Sequence, residues 1–208
     1  WLLSVLPGLV PLAWASVGFG QTTSITSSGL NTNVALSPNA PVPTYNITGG
    51  TRPGNGTNLF HSFGDFSVGT HDRAVFQNDS GLSTTNILSR VTGGQTSNIY
   101  GAIQTAGFGT AALWLINPAG IVFGPTASLN VGGSVHFSTA DYLRLGSGND
   151  RFYADLGKTS QLTSAAVTAF GFLNSNPAAI AVKGSNLAVP NGQTLSLVAG
   201  NRTFPDPV

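Results

Sequence analysis

The sequence predicts an all-β fold, and three observations carry that prediction. Only 7% of the residues are charged, against about 25% in ordinary soluble domains, and the acidic residues are seven Asp with no Glu. Helical surfaces are normally filled with Glu, Lys, Arg and Gln, which lose little rotamer freedom in a helix, so this composition does not suit exposed helices. Instead, Val, Thr, Ile and Phe are separated by Gly, Asn and Ser, with 27 Gly and 12 Pro in the chain, which is the pattern of strands and turns.

Residues 1–15, WLLSVLPGLVPLAWA, are an uncharged apolar run ending on Ala13-Trp14-Ala15. Small residues at −3 and −1 after such a run mark a signal-peptide cleavage site. The run is shorter than the ~20 residues a membrane-spanning helix needs, and Pro7 and Pro11 interrupt it. Residues 1–21 are therefore expected to be a truncated signal peptide cleaved between about Ala15 and Gln21, with the mature domain over 22–208. A chain without Met and without a basic n-region is expected to be a fragment, cut at both ends.

Between Thr22 and Pro53 the chain is rich in Thr, Ser, Asn and Pro with weak alternation, which suggests a short-stranded cap or edge region. Phe60, Phe63 and Phe66 follow at spacing three, but Gly64 and Asp65 break any helical face, so extended or irregular chain with buried rings is expected. From about Asn86 short apolar runs alternate with Gly or Asn turns: Ile87-Leu88, 99–103, 113–116, 121–123, 129–131, 135–137, 167–172, 180–182, 187–189 and 195–198. None is long enough for a helix, and the gaps are too short for βαβ crossovers.

One internal repeat is visible. Asn98-Ile99-Tyr100-Gly101 and Asn117-Pro118-Ala119-Gly120 share Asn-x-x-Gly, with the two Asn separated by 19 residues. A period near 20 with short strands predicts a parallel β-helix of stacked coils, at most about nine of them and ~40 Å long. Asn117-Pro118-Ala119-Gly120 also fits a type I turn, with Asn at the first position, Pro fixing φ at the second and Gly at the fourth. Both Asn-x-x-Gly segments can be read simply as corners.

The net charge of +1, with basic residues scattered singly, lacks the basic stripe that nucleic-acid binding requires. Absence of Cys excludes disulfides and fits export of an unfolded chain through a narrow pore. No nucleophile elbow, phosphate-binding loop or metalloprotease motif is present. His61 and His71 lie near Asp65 and Asp72 in sequence, without a spacing that enforces a metal site. Asp141, Asp150 and Asp155 form a loose cluster in an expected loop excursion around 141–158, the one place to seek a carboxylate pair for glycan chemistry. The Asn-x-Ser/Thr sequons at Asn46, Asn55, Asn78 and Asn201 are of the number expected by chance in so Asn- and Thr-rich a chain.

Five blocks occur in one order: NLFHSFGDFSV (58–68), ILSRVTGG (87–94), SNIYGAI (97–103), LINPAGIVFGPTASLNVGGS (115–134) and GSNLAVPNGQTLSLVAGN (184–201). Together they resemble the two-partner-secretion domain of filamentous-haemagglutinin-like exoproteins, also called the haemagglutination-activity domain, with variants similar to those of cyanobacterial and related large exoproteins. The resemblance implies a right-handed parallel β-helix with an amino-terminal cap and small extra-helical antiparallel strands. It also implies recognition in the periplasm by an outer-membrane β-barrel transporter bearing POTRA domains, which exports a long adhesin-like passenger from a Gram-negative-type cell. The family's Asn-Pro-Asn-Gly-Ile motif maps onto Asn117, Pro118, Ala119, Gly120 and Ile121, with Ala in place of the second Asn. Its Asn-x-x-Gly motif maps onto Asn98 and Gly101. Asn98, Gly101, Asn117, Pro118, Gly120 and Ile121 are thus the expected recognition residues. No cofactor, no metal and no catalytic residue are expected, and a monomer is. Two other readings are a carbohydrate- or surface-binding adhesin using Trp114 and Tyr142, and a β-helix polysaccharide-active enzyme.

Overall fold

The computed structural model describes residues 21–203, so the expected leader, apart from Gln21, lies outside the described residues. The chain begins with β1 (Ser24–Gly29), β2 (Thr32–Leu36) and β3 (Thr44–Gly49), followed by β4 (Asn58–Ser67) and β5 (Arg73–Gln77). One complete coil is β6 (Asn86–Val91), β7 (Ser97–Ile99) and β8 (Ala102–Ala106), and the next is β9 (Ala112–Ile116), β10 (Ile121–Phe123) and β11 (Ser128–Asn130). After β12 (Val135–Ser138) the chain leaves the stack to form β13 (Tyr142–Leu145), β14 (Asp150–Tyr153) and β15 (Val167–Gly171). It returns as β16 (Ala179–Val182), β17 (Leu195–Val198) and β18 (Asn201–Thr203).

Three sheets wall the stack. The first has the order β1-β4-β6-β9-β12-β17, the second β18-β16-β10-β7 and the third β11-β8-β5-β3-β2. All neighbours within them are parallel except β1 on β4 and β2 on β3, which form the antiparallel amino-terminal cap. The result is a parallel β-solenoid of about three turns, with β13, β14 and β15 as a separate antiparallel sheet outside it. The expected all-β solenoid, cap and extra-helical strands are therefore present.

The expected 19-residue repeat is not the coil repeat. Leu59, Ile87, Leu113 and Val135 stack in register, and the steps between them are 28, 26 and 22 residues. Asn98 lies opposite Val122, not Asn117. The two Asn-x-x-Gly segments sit at different corners, one before β10 and the other running out of β7. Corner loops of unequal length defeat a strict period. The nine-coil limit is not approached, because the cap and the excursion consume much of the chain.

Alternation along β4 shows how the interior is filled. Leu59, His61 and Phe63 alternate with Phe60 and Ser62, and all five are buried. Phe63 and Phe66 belong to one core although they are three residues apart, which requires a change of parity between them. A β-bulge supplies it: Ile25 and Ser27 of β1 pair with Phe66 and Phe63, two residues against three. The displaced Asp65 N–H donates to Thr26 Oγ1 at 2.9 Å, so the irregularity leaves no orphan donor there. The Phe63, Phe66 and Phe76 rings meet at 5.0 to 6.1 Å.

The opposite face of the first sheet carries Phe60, Leu88 and Ile116, and the excursion covers it with Leu143, Leu145, Phe152 and Ala154 in a second core. The Phe60 and Phe152 rings meet edge to face at 5.0 Å. A polar ladder clips the two bodies together. Trp114 Nε1 donates to Asn86 Oδ1 (3.0 Å), Asn86 Nδ2 donates to Asn58 Oδ1 (2.9 Å), and Asn58 Nδ2 donates to the carbonyls of Thr163 (2.9 Å) and Ala165 (2.7 Å). Arg90 adds bonds from Nη1 to the Tyr153 carbonyl (2.7 Å) and Ser160 Oγ (3.2 Å), with its guanidinium 5.1 Å from the Phe152 ring centroid. The excursion reaches Gly171, beyond the 141–158 span expected, and the 167–172 run belongs to it and not to a coil. The 187–189 run forms no strand, though Leu187 and Val189 pack against the core.

Candidate functional site

The corner between the first and second sheets gathers most of the expected recognition residues. Gly120 N donates to the Asn117 carbonyl at 3.0 Å, closing the four-residue turn expected at 117–120. Ala119 N donates to Asn117 Oδ1 at 2.9 Å, and Asn117 Nδ2 donates to the Gln95 carbonyl and to Ser97 Oγ, both at 2.9 Å. Asn117 is buried; its Oδ1 closes the turn on itself, and its Nδ2 ties the turn to the corner of the coil below. Pro118 and Ala119 remain half-exposed, while Ile121 is buried between Ser97 and Ile180. Gly120 has φ +110°, and a Cβ there would lie 3.3 Å from the Ala179 carbonyl.

Asn98 and Asn117 are brought together through residues 95–98. Thr96 Oγ1 donates to the Ala119 carbonyl (2.9 Å), and Asn98 Nδ2 donates to the Thr96 carbonyl (3.3 Å). Asn98 is half-buried and its backbone N–H donates to Ser67 Oγ at 3.0 Å. Gly101 is buried for a steric reason: a Cβ would fall 2.3 Å from the Asp72 carbonyl oxygen and 2.4 Å from that of Gly69.

Two depressions flank the 91–98 segment. A polar groove of about 280 Å³ is lined by Asn98, Thr96 and Gln95 together with Thr22, Ser24 and Asp65 of the cap region. On the other side a cleft of about 240 Å³ lies between the Asn117-Pro118-Ala119 turn and the excursion residues Asp141, Ala154 and Asp155. Asp141 Oδ2 accepts from Leu173 N (2.6 Å) and Asp155 Oδ1 accepts from Gly157 N (2.8 Å), so each carboxylate closes a loop of its own chain. Asp150 is not with them; it pairs with Leu145 at the other end of the β13–β14 ladder, whose near end is Tyr142 opposite Tyr153.

The remaining candidates serve the framework. His61 Nδ1 lies 3.2 Å from Thr32 Oγ1 inside the solenoid, and burial pushes the imidazole pKa down to about 4, against the Asp79 charge and together with that of Arg52. His71 is exposed on a turn with φ +69°. Asp65 and Asp72 accept hydrogen bonds from Ser24 Oγ (3.4 Å) and Thr23 Oγ1 (2.5 Å), which fasten the first described residues to the body. Trp114 is stacked on His136 at 3.8 Å and touches Phe170, and burial lowers the pKa of His136. Tyr142 is covered by Arg151 (4.7 Å) and lies against Gly171, where an added Cβ would overlap its ring. Neither Trp114 nor Tyr142 offers the free aromatic face that a sugar would stack on. Sequence reasoning missed Asn58, Asn86 and Arg90, whose partners lie 28 to 107 residues away and leave no local signal.

The architecture is a capped parallel β-solenoid with an antiparallel sheet outside it, and Asn117 is built into one of its corners. The chain belongs to the TPS secretion domain family, whose sequence model matches residues 22–206. Comparison with curated proteins finds no match. Domains of this family are secretion-targeting modules of two-partner secretion and not an enzymatic family; they belong to secreted proteins exported through an outer-membrane partner transporter. Among the described residues no helix is long and apolar enough to cross a membrane.

Proposed function

We propose that residues 22–208, freed of the leader over 1–21, are the secretion-targeting and folding-initiation module that a POTRA-bearing outer-membrane β-barrel transporter recognises. It directs export of a large adhesin-like passenger from the periplasm of a Gram-negative-type bacterium to the medium or cell surface. The domain acts as a monomer, without cofactor or catalytic step. Family membership over nearly the whole domain is the observation that carries this reading.

Recognition proceeds by strand addition at the cap. β2 is the edge of the third sheet, its five residues are uncharged, and Leu36 is 56% exposed. Natural edge strands are usually blunted by charge, Pro or bulges, so an uncharged edge suits pairing with an extended strand of a partner. Asn98 and Gly101 at one corner, and Asn117, Pro118, Gly120 and Ile121 at another, contribute by fixing the shapes of those corners, and Pro118 and Ala119 are the parts of the second turn a partner can touch.

The test is secretion of a reporter fused after residue 208, with and without the cognate transporter. Transporter-dependent release into the medium is the expected result. Equal periplasmic retention in both strains overturns the targeting role.

A further inference from the structure

The outward face of the excursion gathers charge that the sequence scatters. Leu143, Leu145 and Phe152 belong to the second core, so by alternation Tyr142, Arg144, Arg151 and Tyr153 point away from the solenoid. Arg144 and Arg151 are direct cross-strand partners in the β13–β14 ladder, an arrangement in which like charges destabilise a sheet. Asp150, the one carboxylate within β13, β14 and β15, has the parity of Phe152 and not of the arginines. Every bond the two guanidiniums donate goes to a neutral acceptor. Arg144 Nε and Nη2 donate to the Gly148 and Ser147 carbonyls (3.1 and 3.2 Å), and Arg151 Nη1 donates to Tyr153 Oη (3.1 Å). The Arg151 guanidinium also lies 4.7 Å from the Tyr142 ring centroid, and that ring rests on Gly171, where an added Cβ would fall 1.9 Å from its Cζ. Two cations are therefore held side by side, with Arg144 Nη1 and Arg151 Nη2 left without a partner among the described residues. The buried Nε of Arg151 lacks one as well. The sheet gains nothing from this arrangement, whereas an anion between the guanidiniums gains charge-assisted bonds from both.

We propose that this face binds the carboxylate of an acidic sugar in a glycan, one oxygen taken by Arg144 Nη1 and the other by Arg151 Nη2. The surroundings select that ligand class. Tyr153 and the exposed Thr168 offer hydroxyl groups beside the pair, suited to the hydroxyls of neighbouring sugars. None of the exposed large apolar side chains lies within these three strands, so the face lacks what would enter a bilayer. Over residues 141–171, Arg144, Arg151 and Lys158 are balanced by Asp141, Asp150 and Asp155, for a net charge of zero. A nucleic acid, with its closely repeated phosphates, meets those Asp residues as readily as the arginines. A single carboxylate among neutral hydroxyls does not. The site needs β13, β14 and β15 folded, so it works on the exported domain and asks nothing of the transporter. It goes beyond the secretion reading and does not depend on it.

The experiment titrates the purified chain with a hyaluronan hexasaccharide, which carries a carboxylate on alternate sugars, and with its methyl ester, which is neutral and similar in shape. The acid form is expected to bind with an affinity that falls as salt rises, and the ester at least about tenfold more weakly. Arg144→Gln and Arg151→Gln should each weaken binding of the acid form about tenfold. Arg151→Lys, which keeps the charge without the planar fork, should weaken it about threefold. Circular dichroism and melting of each variant separate lost binding from lost fold, and the ester comparison needs no variant at all. If the parent binds neither form, or binds both within about twofold, the proposal is overturned. Tighter binding to duplex DNA or to phosphatidylglycerol vesicles than to the hexasaccharide assigns the arginines to phosphate and overturns it as well. Each of these outcomes leaves the secretion reading untouched.

Discussion

Replacing Asn58 with Ala tests the brace between solenoid and excursion. The substitution removes three side-chain hydrogen bonds: those to the Thr163 and Ala165 carbonyls and the one accepted from Asn86 Nδ2. At a net of about 1 kcal/mol each they sum to about 3 kcal/mol, and stranding the buried Asn86 amide adds about 1 kcal/mol or more. A loss of about 4 kcal/mol is a large share of the 5–15 kcal/mol typical of a domain. With a urea m-value of about 2 kcal/mol/M, the midpoint falls by about 2 M. The probe is built in: Trp1 and Trp14 lie in the expected leader, so Trp114 is the single tryptophan of residues 22–208, and its indole sits on the same ladder. Its fluorescence in a urea titration reports both the midpoint and the integrity of the stack on His136. A loss below about 1 kcal/mol, or strict additivity with Asn86→Ala in a double-mutant cycle, refutes the ladder as a coupled brace.

Three other substitutions address the interior and the corners. His61 has a folded pKa of about 4 against 6.5 for the free side chain, so the unfolded state binds more protons between those values. Its contribution is fully present above about pH 6.5 and is lost as pH falls toward 4, on the order of 3 kcal/mol in all. Urea midpoints from pH 7 to 5 should fall for the parent and fall distinctly less for His61→Leu; parallel slopes contradict the assignment. Gly101→Ala places a methyl 2.3 and 2.4 Å from two backbone oxygens and is expected to cost about 3 kcal/mol. Gly94→Ala, at φ +74° in open space, should cost about 1 kcal/mol in the same thermal melts. Equal melting of the two variants would show that close approach at Gly101 is not what excludes a side chain.

The class of fold was legible because its causes are local. Absence of Glu, Gly and Asn punctuation and short β-branched runs each act within a few residues, and they point to strands without reference to the rest of the chain. The turn at Asn117–Gly120 was legible for the same reason, since its hydrogen bonds close within four residues. The coil register was not, because corners of different length separate stacked residues by 28, 26 and 22 positions, and a chance Asn-x-x-Gly pair gave a false period. The excursion was glimpsed only in part. Val167–Gly171 has the same apolar signature as a coil strand because it too packs against a core, here the outside of the first sheet. Phe60, Phe63 and Phe66 were expected to be buried, but the bulge that puts Phe63 and Phe66 in one core is a property of the β1 pairing and not of β4 alone. The cleft was beyond reach, since Asp141, Asp155 and Asn117 converge only through the stacking of coils on an inserted sheet.

The Asn58 bonds also have a consequence in time. Stacked repeats ordinarily fold by nearest-neighbour contacts, each coil closing on the one before. Here a buried amide on the first long strand finds its acceptors 105 and 107 residues later, after about 350 Å of extended chain. Until residues 163–165 are in place, the Asn58 amide has only water for those two acceptors, and the ladder through Asn86 to Trp114 lacks its last link. The outer face of the first sheet, with Phe60, Leu88 and Ile116, is likewise covered only when the excursion closes over it. The last part of the chain to pack is thus what buries the outer face of the first.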